Sequence, residues 1–333
     1  MQKLLKNKLN LFSLLFLALI YSLCFFADFI APYPANELHS KFGYSAPSKI
    51  YIDQGGLYSY QIDQKVDPKK LQKINIENKE KKFYLEFFKN NKILHINKDN
   101  NFFLLGTDSL GRDLFSRILY GARPSLTIGF ISLIIAFPLG LLYGAISGFF
   151  GSWIDNLMMR LAEAIMSLPS FYLLIILSAL LPASLSNFQR FALITFILSF
   201  ISWASLARII RGQVLAIKEK EFIESAKTIG LKEISIILKH LLPHTFSFVI
   251  IAATLSVPGF IIGETALSFL GLGINQPDPS WGNILAEGKE LSNILTRPWL
   301  LWTPALLIFA SVFSFNIIGD TLRDYFDPKI AKS

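Results

Sequence analysis

The sequence predicts an all-α polytopic membrane protein of six transmembrane helices, interrupted by one small, mainly β insertion outside the membrane. Three observations carry this. Five apolar runs reach about 19 residues or more and a sixth comes close, and a helix needs about 20 apolar residues to cross the hydrocarbon. Hydrophobic residues make up 52% of the chain and charged ones 17%, with a mean hydropathy of +0.45, whereas a soluble domain carries about 25% charge. The polar residues gather in blocks, chiefly a Lys- and Asn-rich stretch from Lys41 to Asn101 and the charged ESAKTIGLKEISIILKHLLP, Glu224 to Pro243.

The spans are expected at Leu11 to Ile30, Leu126 to Phe150, Ala164 to Leu181, Phe191 to Ile209, Phe248 to Leu270 and Leu300 to Ile318. Pro138, Pro169 and Pro258 fall inside them. Neighbouring helices can re-satisfy the carbonyls a proline frees, so these residues imply a packed bundle. The first run follows Lys3, Lys6 and Lys8, as in a signal peptide. No A-x-A site follows it, and the bulky Leu23 before Cys24 suits lipoprotein processing poorly, so an uncleaved anchor is expected. Cys24 is the sole cysteine, which rules out an intrachain disulfide and leaves it a packing role.

Six spans put both termini on one side. The loops and tails of that side hold fourteen Lys and Arg, seven of them from Arg208 at the end of span four onward to Lys239, against Arg190, Lys289 and Arg297 opposite. The excess of basic residues marks the cytoplasmic face, so both termini are expected in the cytoplasm. Much of the +8 net charge is thereby topological rather than a sign of nucleic-acid binding.

The first loop then lies outside. Lys49 to Ile52, Leu57 to Ile62, Phe83 to Phe88 and Ile93 to Ile96 read as strands, the last two joined by a turn at Lys89-Asn90-Asn91-Lys92. GTDSLGRD, Gly106 to Asp113, has the spacing of a phosphate loop. Arg112 stands where that loop needs Lys, and Asp113 where it needs Ser or Thr, so nucleotide binding is excluded. The better reading is an interfacial helix capped by Thr107 or Asp108, with Arg112, Asp113 and Arg117 toward the headgroups.

No H-E-x-x-H, cysteine cluster or Ser-x-Gly elbow is present, and His240 and His244 are separated by Pro243. The expectation is no catalytic residue, no metal and no cofactor in this chain. Glu264 is the one acid well inside a span, and it can line a solute path or bond a neighbouring helix. After span five, Trp281 and the run Glu287 to Glu290 suggest a second interfacial helix, and Trp299 and Trp302 an aromatic belt.

In the charged block, Phe222, Ile223, Ala226 and Ile229 fall on one helical face. Gly230 permits a left-handed turn. Leu231, Ile234, Leu238 and Leu241 begin a second helix, which Pro243 is expected to end. Two readings stay open from the residues alone: an amphipathic pair on the inner leaflet, or a docking element for a cytoplasmic partner.

This block resembles the EAA loop of ABC importer permeases. Glu224, Ser225, Ala226, Gly230, Leu242 and Pro243 occupy its pattern, with Ser225 for the first Ala and His240 for the usual Ile. GTDSLGRDLFSRILYGARPSL, ETALSFLGLGINQPDPSWGNIL and FNIIGDTLRDYFDP resemble further blocks of the C-type permeases of dipeptide and oligopeptide importers. The resemblance implies the type I ABC importer permease fold. It also implies a B-type permease partner, two ATPase subunits that bind ATP and Mg and dock on the EAA loop, an extracytoplasmic solute-binding protein, a peptide substrate and a bacterial inner-membrane location. Domains are expected as 1–33 (N-terminus and first span), 34–104 (insertion) and 105–333 (permease core). A nickel or other small-solute permease is the near alternative, and an ion-coupled secondary carrier the distant one.

Overall fold

The computed structural model describes residues 7–66, 73–97 and 100–326. Lys3, Lys6, Lys329 and Lys332 of the charge count, and the last two residues of the FNIIGDTLRDYFDP block, lie outside the described residues. In chain order the elements are α1 (Lys8–Phe25), α2 (Ala27–Ile30), β1 (Tyr51–Asp53), β2 (Gly56–Val66), β3 (Lys73–Tyr84), β4 (Glu86–Lys89) and β5 (Lys92–His95). There follow α3 (Leu114–Phe150), α4 (Ser152–Met166), α5 (Ser170–Ala179), α6 (Asn187–Ile217), α7 (Glu221–Thr228) and α8 (Glu233–Ile236). A π-helical turn, Ile237–Leu241, leads into α9 (Leu242–Phe269), then α10 (Trp281–Glu287), α11 (Leu291–Thr296) and α12 (Trp299–Phe326).

Among the described residues five helices are long and apolar enough to cross a membrane, or six if α4 and α5 form one span. That pair is bent by 75°, so the expected third span is broken. Pro169 is the cause: it caps α5 with an extended backbone and has no N–H to continue α4. Pro138 and Pro258, by contrast, lie within α3 and α9.

The chain forms two compact units. One comprises residues 1–16, 127–264 and 311–333, the other 17–126 and 265–310. In the first, Gly140, Gly144 and Gly148 recur every fourth residue along α3 and face α6. A Cβ on Gly144 would stand 2.3 Å from the Ala207 carbonyl, and one on Gly148 2.9 Å from that of Arg211. Such stripes let membrane helices meet backbone to backbone, which matters where lipid is as apolar as leucine. Ser199 adds a hydrogen bond across the pair, donating to the Ser132 carbonyl (3.2 Å). Gly263 on α9 instead makes room for the Leu198 side chain of α6, and Gly319 on α12 for that of Leu255 on α9.

In the second unit β1, β2 and β3 form an antiparallel sheet, and β4 and β5 a hairpin. Asn90 and Asn91, at φ 52° and 57°, make the expected turn, since asparagine tolerates the left-handed region that a tight hairpin requires. Lys92 donates to the Ala31 and Pro32 carbonyls (3.0 and 2.7 Å), which ties the hairpin to the chain after α2. The core of this unit is Leu114, Ile118, Ile284 and Leu300, with Trp299 packed against it. Trp302 is exposed.

Candidate functional site

The charged block forms a bent hairpin. α7 ends in a two-bond glycine cap: Gly230 N donates to the Lys227 carbonyl (2.9 Å) and Leu231 N to that of Ala226 (3.2 Å). Gly230 has φ +79°, the left-handed conformation this cap demands and which glycine adopts without a Cβ clash. The expected apolar face divides in two. Ile223 and Ala226 are buried, while Phe222 is partly open and Ile229 is 79% exposed. With Leu231, Ile234 and Leu238, also exposed, Ile229 gives the bend an apolar tip. Glu221, Glu224, Ser225, Lys227, Lys232 and Glu233 are exposed around it.

Pro243 does not end the second helix. It sits in the first turn of α9, and the π-helical turn just before it absorbs the hydrogen bond that proline cannot donate. The hairpin therefore runs from its tip directly into a membrane helix through Leu242 and Pro243. Its base is fastened twice. Phe222 stacks on His244 with ring centroids 4.8 Å apart, and Lys227 Nζ lies 5.4 Å from the Phe149 ring at the end of α3. His244 Nδ1 donates to the His240 carbonyl (2.6 Å).

Beside this base lies a polar latch. Arg211 on α6 donates to both carboxylate oxygens of Asp155 on α4, at 3.0 and 2.5 Å, and Ser147 donates to the same carboxylate. Lys218 donates to the Gly148 carbonyl (3.1 Å). In the sequence Arg211 and Lys218 stand out only as positive charges, and Asp155 does not stand out. An acid five residues beyond a long apolar run, with a basic run downstream, was the available signal.

An open groove of about 350 Å³ runs between α5, α6 and α9, with Phe137 of α3. Its wall is apolar apart from Ser170, Ser202, Ser205 and Ser256. Three of these hydroxyls are bonded to their own helix: Ser202 to the Leu198 carbonyl, Ser205 to that of Ser202 and Ser256 to that of Ala252. No charged side chain lines it. Gly263 does, but its neighbour Glu264 is fully buried and is not part of the wall.

The structure departs from the expected interfacial helix at Gly106 to Arg117. α3 begins only at Leu114, and its cap is Asp113 rather than Thr107 or Asp108: Asp113 Oδ2 accepts from Ser116 N (2.8 Å) and Ser116 Oγ (2.7 Å). Asp108 instead closes a turn, accepting from Leu110 N and Arg112 N. Asp108, Arg112, Asp113 and Arg117 are at most 2% exposed, so none faces headgroups. The charges of Asp108, Arg112 and Arg117 are matched internally. Arg112 Nε donates to Asp108 Oδ2 (2.6 Å), with Glu287 at 3.3 Å and Arg117 3.4 Å from Asp108. Arg117 also donates to Gln276 Oε1 and the Pro277 carbonyl. Burial pushes the Asp113 carboxyl up to about 6 and raises that of Glu287. Trp281 is likewise no membrane anchor: fully buried, it donates from Nε1 to the Ile118 carbonyl (3.1 Å).

Residues 136–332 match the family model described as the binding-protein-dependent transport system inner membrane component. The chain belongs to this family. Residues 1–47 match a second model, the N-terminal transmembrane domain of oligopeptide transport permease C. The oligopeptide transport system permease protein OppC of Haemophilus influenzae is 44% identical over 67% of this chain and 70% of its own length. The dipeptide transport system permease protein DppC of Bacillus subtilis is 42% identical over 68% and 69%. The glutathione transport system permease protein GsiD of Escherichia coli is 39% identical over 68% and 72%. As a member of this permease family the chain is a multi-pass membrane protein with the ABC importer permease fold, and family membership implies ATPase and binding-protein partners.

Proposed function

We propose that this chain is the C-type permease subunit of an ATP-driven importer of short peptides, and that it hydrolyses nothing itself. The observation that carries this is the hairpin at Glu224 to Pro243. An apolar tip ringed by charge and held on a fastened base is what a docking element requires, and it continues into α9, a wall of the groove. Oligopeptide, dipeptide and glutathione permeases are its relatives, which supports a peptide as the solute.

In this reading Glu224, Ser225 and Gly230 enter the ATPase while Ala226, expected there as well, packs beneath them against its own chain, with Leu242 and Pro243 carrying the motion into α9. Two ATPase subunits hold the ATP and Mg. A B-type permease completes the groove into a pathway, and a solute-binding protein loads it from outside. The termini are cytoplasmic, residues 34–104 lie outside, and the host is the bacterial inner membrane. The chemistry of the groove fits the task. Three of its four hydroxyls are already bonded and its wall carries no charge, so a peptide meets weak, sequence-tolerant contacts and can leave again. ATP can bias the spans only if the ATPase binds inward- and outward-facing states with different free energy. A rigid hairpin transmits that difference.

The test is uptake of labelled peptide into vesicles holding the assembled transporter. Uptake is expected to require internal-face ATP, to survive collapse of ion gradients and to persist in Glu264→Gln. Gradient-dependent uptake by this chain alone, abolished by Glu264→Gln, would replace the proposal with an ion-coupled carrier.

A further inference from the structure

α4 presents two unlike faces. Ala162 is buried with Trp203, Ala204 and Ala207 of α6. On the opposite face Trp153, Leu157 and Leu161, one turn apart, are exposed by 69%, 56% and 56%. Beside this apolar stripe lies a polar cavity of about 270 Å³ whose wall holds Arg160, Arg208 and Arg211 against Asp155 and Glu163. The three guanidiniums outnumber the two carboxylates.

The pairing is also uneven. Asp155 is saturated by two bonds from Arg211 and one from Ser147. Glu163 is shared by the other two arginines at 3.8 Å from Arg160 and 3.5 Å from Arg208, beyond the 2.7–3.2 Å of an N–H···O bond. Those two side chains are 84% and 54% exposed. Two open guanidinium forks with a surplus of charge suit an oxyanion that accepts from both. An exposed stripe of Trp and Leu alongside suits hydrocarbon.

We infer that this cleft between α4 and α6 binds an anionic phospholipid. Arg160 and Arg208 take the headgroup phosphate, the acyl chains follow Trp153, Leu157 and Leu161, and Glu163 is the internal competitor that the phosphate displaces. The site lies on the helix pair that the Asp155–Arg211 latch joins.

The experiment titrates the purified full-length chain in neutral detergent with acyl-labelled phosphatidylglycerol. Phosphatidylcholine is the zwitterionic control, and inorganic phosphate the competitor. Basic residues at a membrane surface contribute about a factor of five each. The double variant Arg160→Gln, Arg208→Gln should therefore weaken phosphatidylglycerol by more than tenfold, with phosphatidylcholine unaffected. Glu163→Gln should bind it several-fold more tightly, an effect that a merely structural role for Glu163 would not give. Leu157→Ser with Leu161→Ser should weaken the lipid as well.

Four results would overturn the inference. Equal binding by the arginine double variant removes the phosphate contact, and equal affinity for phosphatidylcholine removes the charge selectivity. Displacement by inorganic phosphate at the lipid's own concentration makes it a free-anion site. Loss of lipid binding when the partner permease is assembled makes the stripe a protein interface.

Discussion

GTDSLGRDLFSR, Gly106 to Arg117, and ESAKTIGLKEIS, Glu224 to Ser235, look alike as sequence: each is charged, each contains glycine, and each borders a long apolar run. The structure treats them in opposite ways. In the first the charges are inside: Asp108, Arg112, Asp113 and Arg117 are almost without solvent contact, Arg112 pairs with Asp108 and Glu287, Arg117 with Asp108, and Asp113 caps α3. In the second the charges are outside, and among the described residues no ion pair joins Glu221, Glu224, Lys227, Lys232 or Glu233; what is exposed between them is Ile229, Leu231 and Ile234. Charge alone does not tell a buried brace from a docking surface. The difference is whether the charges find partners inside the protein or stay in solvent around apolar side chains left for another molecule to cover.

The largest effect should come from breaking the brace. Arg112→Ala leaves Asp108 and Glu287 without their shared partner, and removing one member of a buried ion pair costs about 3–5 kcal/mol. Folded yield in detergent should collapse, as a thermal unfolding scan would show. A variant as stable as the wild type would mean the brace carries no stability.

The second effect is a pH dependence. The folded pKa of Asp113 is about 6, above the roughly 3.9 of an unfolded aspartate. The folded chain therefore holds more protons between about pH 4 and 6, and this group makes stability fall as pH rises through that window, by about 3 kcal/mol in all. Asparagine can keep the cap by accepting from Ser116 N. Asp113→Asn should flatten the melting temperature across that window, apart from the slope left by Glu287, whose carboxyl is also raised by burial. An unchanged slope would show that Asp113 does not titrate there.

At the hairpin the order of effects reverses, with function lost and stability kept. Ile229→Glu with Leu231→Glu should leave the unfolding temperature of the isolated chain unchanged, since surface substitutions cost about 0.5 kcal/mol or less. It should weaken ATPase co-purification tenfold or more, as expected for anchors at the centre of an interface. Retained ATPase binding would break the comparison. The smallest effect belongs to Gly230→Ala, which forces a Cβ into a left-handed backbone at about 1–2 kcal/mol. It should loosen the tip and lower transport per ATP hydrolysed, with the ATPase still bound, as paired uptake and hydrolysis assays would record.

Much of this was legible beforehand. The apolar runs located the spans, and Gly230 located the bend, because glycine at that point of an amphipathic pattern has a specific backbone use. The Asn90-Asn91 turn was visible for the same reason. Other features depend on residues far apart in the chain. Nothing local marks Arg117 as the partner of Gln276, or Trp281 as the donor to Ile118, so both were read as membrane-facing. β3 before Phe83 was not anticipated because its sequence, KINIENKEKK, carries few apolar residues; its pairing with β2 is a property of the backbone. Pro243 was read as a helix end because the wide π turn that accommodates it has no sequence signature.

The central claim is that the tip of the hairpin touches an ATPase while solute moves. Cys24 is the only cysteine and is buried, so Cys24→Ser with Ile229→Cys places a single thiol on that tip. Crosslinking in vesicles that are taking up peptide should give an adduct between this chain and the ATPase subunit. Uptake at the normal rate with adducts to lipid alone would contradict the account.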